Sequence, residues 1–169
     1  MTTLTQPLRE EHQELLPHIE ALRQAADAVS ESVTPALREA VHEAYDFLLH
    51  HLIPHAQAED QALYPAVQKV MGAAEATDTM SRDHVEVGRL TAELAGLQAV
   101  LNVEKLTPEQ ANALRRVLYG LYALVKVHFA KEEEVYLPLL DARLSQDQAH
   151  AMFVAMEAAA HEAKQIHTH

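Results

Sequence analysis

The stretch LLHHLIPHAQAEDQALYP (residues 48–65) decides the fold, because LYALVKVHFAKEEEVYLP (residues 121–138) repeats its chemistry 73 positions later. His55, Glu59 and Pro65 of the first return as His128, Glu132 and Pro138 of the second. In both, histidine and glutamate stand four apart, so on a helix they share one face with Cβ atoms ~6 Å apart. That face is otherwise largely apolar. It runs Leu48, Leu52, His55, Glu59, Ala62 and Ala66 in the first copy, and Val117, Leu121, Leu124, His128, Glu132, Val135 and Leu139 in the second. An imidazole and a carboxylate on a stripe meant for burial are costly without partners.

Two further stripes carry a histidine each. One runs Leu8, His12, Leu15, Ile19, Leu22, Ala26 and Val29; the other runs Met80, His84, Val87, Thr91, Leu94, Gln98 and Leu101. His12 and His55 are 43 residues apart and His84 and His128 are 44 apart, with midpoints near residues 33 and 106. Both midpoints fall in expected loops, and residues equidistant from an antiparallel turn lie at one level. All four histidines should therefore meet at one depth, related by a pseudo-twofold axis.

Turn chemistry sets the helix ends. Thr34-Pro35 reads as an N-cap followed by a first-turn proline. Thr107-Pro108-Glu109-Gln110 adds the glutamine of a capping box, and Ser145 to Gln148 repeats that logic. Gly72 and the small residues around it mark a turn between about Met71 and Thr79. The expected helices cover roughly 4–29, 35–70, 79–102, 108–142 and 146–165. This is an all-α, antiparallel, up-down-up-down four-helix bundle over about 4–142, with an additional C-terminal helix over about 146–165. A single domain over 1–169 fits the length and can bury roughly two-thirds of the unfolded surface. Pro17 and Pro54 should kink their helices, since each removes an amide and crowds the preceding turn.

Composition narrows the functions. With 13 Lys plus Arg against 25 Asp plus Glu, the net charge is −12, which disfavours nucleic acid and anionic membranes as partners. The chain has no cysteine, so thiolate zinc sites, cysteine nucleophiles and Cys-ligated iron–sulfur clusters are excluded. No stretch approaches the ~18 apolar residues of a membrane span, and no charged-then-apolar leader is visible. A reducing cytoplasm is the expected location, and the acidic charge suits a monomer.

Four imidazoles and two carboxylates from four helices make a nitrogen and oxygen donor set suited to iron or manganese. Two ions use six such groups more naturally than one, with the carboxylates bridging. The Glu-x-x-His arrangement of ferritin-like bundles occurs only at Glu39 and His42, off the core stripe. His18, His42, His50, His150, His161, His167 and His169 have no counterparts in the repeat and are expected at the surface.

The His-x-x-x-Glu pairs followed by Leu63-Tyr64-Pro65 and Tyr136-Leu137-Pro138, with a single histidine on the preceding helix of each half, resemble the hemerythrin/HHE cation-binding domain family. The resemblance covers about residues 8–140. It implies a non-haem di-iron centre ligated by His12, His55, Glu59, His84, His128 and Glu132, with the glutamates bridging and Asp60 and Glu133 as alternatives. It implies binding of dioxygen or a related small oxidant, peroxide or nitric oxide. A peroxide-consuming di-iron enzyme and an iron-sensing structural module are the alternatives. One position departs from the oxygen carriers of the family. Their second third-helix histidine falls here on Gly88, which cannot ligate. Either a coordination position is open, or Tyr64, Tyr136, Tyr122 or His51 fills it.

Overall fold

The computed structural model describes residues 3–166, and among these the chain forms five helices and no strand. Helix α1 is Gln6–Ala28. Helix α2 runs over 35–71 as three α-helical segments joined by two π-helical turns, Leu48–Leu52 and Glu59–Leu63. After a 3₁₀ turn, Ala74–Thr77, α3 covers Asp78–Ala99. Helix α4 runs over 108–143 and carries its own π turn, Glu132–Tyr136. Helix α5, Gln146–Ile166, lies across residues 53–63 of α2. His167 and His169 lie outside the described residues.

The expected caps form. Thr34 Oγ1 accepts from the Leu37 amide at 3.1 Å. Thr107 and Gln110 make a reciprocal capping box, as do Ser145 and Gln148. Gly72 ends α2 with φ +68°, the left-handed conformation that glycine adopts without a Cβ penalty.

The pseudo-twofold axis passes between the two loops at one end of the bundle. The Val33 amide donates to Glu104 O at 2.9 Å, and the Leu106 amide donates to Glu31 O at 2.7 Å. Each bond is the other's image under the 73-residue repeat.

Helix α1 continues unbroken through Pro17. The prolines at 54, 65 and 138 instead each follow a π turn. The residue just before each proline donates five back along the chain: Ile53 to Leu48 O, Tyr64 to Glu59 O, Leu137 to Glu132 O. The wider turn removes the clash between a proline ring and the carbonyl four residues earlier. It also changes the register. Beyond Glu132 the expected stripe positions fail: Val135 is exposed, while Leu137 and Leu140 are buried. Beyond Glu59, Leu63, Tyr64 and Val67 are buried, whereas Ala66 is only partly so.

Two apolar clusters result. One, built on Ile19, Leu22, Leu48, Leu94, Leu118 and Leu121, fills the end nearest the paired loops. The other, built on Leu8, Leu63, Tyr64, Met80, Leu137 and Met152, fills the opposite end under α5. The four histidines and two glutamates of the repeat form a polar layer between them.

Candidate metal centre

Each helix of the bundle delivers its part of the layer from a buried stripe. His12, His55, Glu59, His128 and Glu132 are each at most 4 % exposed, and the His84 side chain is 9 % exposed. Two groups of ligand-type atoms form, each within 4.8 Å: His12, His55, Glu59 and Glu132, and then Glu59, His84 and His128.

The glutamates face both groups. Glu59 Oε1 lies 2.9 Å from His55 Nε2 and 3.7 Å from His12 Nε2, while its Oε2 lies 3.2 Å from His84 Nε2. Glu132 Oε2 lies 3.3 Å from His12 Nε2, and its Oε1 lies 3.4 Å from His128 Nε2. Each carboxylate therefore offers one oxygen to each histidine pair, as a bridge between two cations would.

Among the described residues, five of these buried atoms have no hydrogen-bond partner: His12 Nε2, His55 Nε2, both oxygens of Glu59, and Glu132 Oε2. Buried polar atoms left unpaired cost ~1–3 kcal/mol each, and native chains rarely tolerate several in one place. The separations instead suit shared ions. With metal–ligand bonds of ~2.0–2.2 Å, neighbouring ligands at right angles lie ~3 Å apart. The residues fit a pair of metal ions.

The outer face of every imidazole is also fixed. His12 Nδ1 donates to Glu133 Oε1 at 2.8 Å, His55 Nδ1 to Glu11 Oε1 at 3.0 Å, His84 Nδ1 to Asp60 Oδ2 at 2.9 Å, and His128 Nδ1 to Asp83 Oδ2 at 2.9 Å. An ionised carboxylate only accepts, so each Nδ1 carries a proton, and Nε2 is the nitrogen that faces inward and would offer its lone pair to a metal. Asp60 and Glu133 thus support histidines rather than the centre itself. Glu11 and Asp83 do the same work and were missed in the sequence. The available signal was the set of doublets Glu11-His12, Glu59-Asp60, Asp83-His84 and Glu132-Glu133.

Of the four candidates for the place of the ligand absent at Gly88, the structure brings in one. Tyr64 Oη donates to Glu132 Oε1 at 2.8 Å and lies 3.1 Å from His128 Nε2 and 3.3 Å from His84 Nε2. Tyr136 donates to Ala76 O instead, Tyr122 packs under Lys126, and His51 is exposed beside Phe47. A Cβ added at Gly88 would meet nothing within 4 Å. His18, His42, His150 and His161 are exposed and His50 is half-buried.

The electrostatics favour added positive charge. Burial by itself would lower the imidazole pKa values, but the Glu132 and Glu59 carboxylates outweigh it, raising His12 to about 9 and His128 to about 10. Against the same burial, Glu59 and Glu11 raise His55, and Asp60 and Glu59 raise His84. Burial would raise the Glu59 carboxyl, yet the surrounding histidines hold it well below the ordinary range. Burial, then the Glu59 and Glu132 charges, push the Tyr64 phenol upward. Two buried carboxylates recruit protons, or metal dications in their place.

The family model for the hemerythrin HHE cation binding domain matches residues 3–140. No curated protein and no solved structure gives a significant match.

Proposed function

Because this chain belongs to the hemerythrin HHE cation-binding family, we propose that it holds two iron ions between its helices and binds dioxygen, peroxide or nitric oxide there. The observation that carries this reading is the set of five buried, unpaired ligand atoms facing one another. His12 and His55 would hold one ion, His84 and His128 the other, with Glu59 and Glu132 shared. Tyr64 would complete the second set, in place of a third-helix residue at Gly88. An iron pair supplies one-electron steps at each ion and so can exchange two electrons with a small oxidant.

The protein's share of the work is selection and orientation. Leu52, Val87, Val125 and Phe129 close an apolar pocket of about 10 Å³ against His55, His84 and His128, room for roughly one water-sized molecule. Phe129 stacks on the His12 ring with centroids 4.1 Å apart, and both side chains line a wider surface cleft of about 460 Å³. Only the smallest ligands suit such a space and a large organic substrate does not. Leu137 stands in the second half where Tyr64 stands in the first, leaving the His12/His55 position with fewer protein ligands. That asymmetry favours exchange of a small ligand at that ion, and peroxide turnover is the second reading. Nothing in this chemistry calls for nucleic acid or a membrane, and we place the chain in the cytoplasm as a monomer.

The test is metal analysis of the purified chain with an optical spectrum before and after oxidant. About two irons per chain, with near-ultraviolet bands that change on adding peroxide or nitric oxide, is the expected result. Zinc, a single metal or none would overturn the di-iron reading. Oxygen evolution from peroxide that His55→Ala abolishes would move the assignment from binding to catalysis.

A further inference from the structure

The four carboxylates behind the histidines are connected to one another through the chain. From Glu59 on α2 the next residue, Asp60, accepts from His84 on α3. The residue before His84, Asp83, accepts from His128 on α4. Four residues on, Glu132 is followed by Glu133, which accepts from His12 on α1. The residue before His12, Glu11, accepts from His55 on α2, and Glu59 follows four residues later. The path closes. It passes through all four helices, and every step between helices is a carboxylate–imidazole hydrogen bond of 2.8–3.0 Å.

We infer that Glu11, Asp60, Asp83 and Glu133 are positioning residues acting as one closed ring, which sets the ligands of both metal positions together. This rests on the two-metal reading above. Each carboxylate is attached by backbone to one ligand and by a hydrogen bond to another, so none can shift without moving two ligands on different helices. A helix displaced at one position therefore misaligns the next, and the misalignment returns to its start. Outer contacts brace the ring: Arg9 ion-pairs with Glu133, Lys131 with Asp83, and Ser81 donates to Asp60 at 2.6 Å. Among the described residues the Glu11 carboxylate accepts from His55 alone, and its side chain is 48 % exposed, so replacing it disturbs little else.

Independent outer shells and a closed ring differ in one measurable way. Glu11 supports His55, and Asp83 supports His128, so separate shells would give losses in metal affinity that multiply when both are removed. In a closed ring the first cut already releases the constraint, and the second adds little.

The experiment measures uptake of two Co²⁺ per chain by chelator competition. It compares the full-length chain with Glu11→Ala, Asp83→Ala, the double variant and Glu11→Gln, each checked for helical content before metal is added. Each alanine variant should lose tenfold or more in affinity, the usual scale for an outer-shell partner. The double variant should fall less than threefold below the weaker single. Glu11→Gln, which keeps an acceptor oxygen for the His55 Nδ1–H, should stay within a few-fold of the parent. Losses that multiply in the double variant, or single variants with unchanged affinity, overturn the ring while leaving the metal pair intact. A parent chain that takes up fewer than two Co²⁺ overturns the metal-pair reading and the ring with it.

Discussion

Tyr64 and Leu137 are counterparts in the repeat, and the difference between them divides an otherwise symmetric site into two unequal halves. If the Tyr64 phenol ligates ferric iron, Tyr64→Phe should abolish the visible phenolate-to-iron band while retaining bound metal. An unchanged visible spectrum would remove Tyr64 from the ligand set. The histidines give a second residue-level expectation. Their folded-state pKa values are raised, to about 9 at His12 and about 10 at His128. The stability they contribute without metal is thus complete below the unfolded value near 6.5 and is lost as pH rises through 9 to 10. The metal-free chain should melt at progressively lower temperature from about pH 7 to pH 10. Metal uptake over that range should release protons, which a pH-stat titration would record. These residue roles were legible unequally. The six groups of the repeat could be read because histidine and glutamate on apolar stripes contradict the cost of burial. Glu11 and Asp83 left only the weak signal of an acidic neighbour to each histidine, and a charged residue beside a stripe is ordinary on any helix.

At the scale of the element, the π turns account for the largest difference from a 3.6-residue reading. Five residues of α-helix would leave Tyr64 about 140° from Glu59 at ~100° per residue. The π turn Glu59–Leu63 carries the intervening residue as a bulge and brings Tyr64 onto the face of Glu59. Inserting an alanine after the exposed Gln61 should rotate Leu63, Tyr64 and Val67 by ~100° out of the core, whereas deleting Gln61 should straighten the bulge into α-helix and keep them on the same face. A loss of several kcal/mol in a denaturant melt is the expected cost of the insertion, since burying each large apolar side chain contributes ~1.5–3 kcal/mol. A folded insertion variant with normal stability would show that the bulge does not set the register. Gly88 behaves oppositely. It sits in the interior of α3 with open space where a Cβ would go. Gly88→Ala should therefore stabilise the protein by about 0.5–1 kcal/mol and leave metal content unchanged.

At the scale of the whole molecule, the polar layer separates two apolar clusters, and an ion held in it would tie all four helices together. An ion that binds only the folded chain adds stability by mass action, ~4 kcal/mol at a free concentration a thousand times its dissociation constant. Iron should accordingly raise the melting temperature by several degrees or more, and His55→Ala should cancel most of that rise. The all-α class, the five helices, their caps, the pseudo-twofold repeat and the level at which four histidines meet were all determined by the sequence itself. They follow from local propensity, turn chemistry and the spacing of buried stripes, which act along the chain. The selection of Tyr64 over Tyr122, Tyr136 and His51, the register beyond each π turn and the closed ring of carboxylates were decided only by the tertiary structure. Each depends on how far a helix turns between one proline and the next and on which side chains of a neighbouring helix then lie within 3 Å, and sequence spacing on a single helix carries neither quantity.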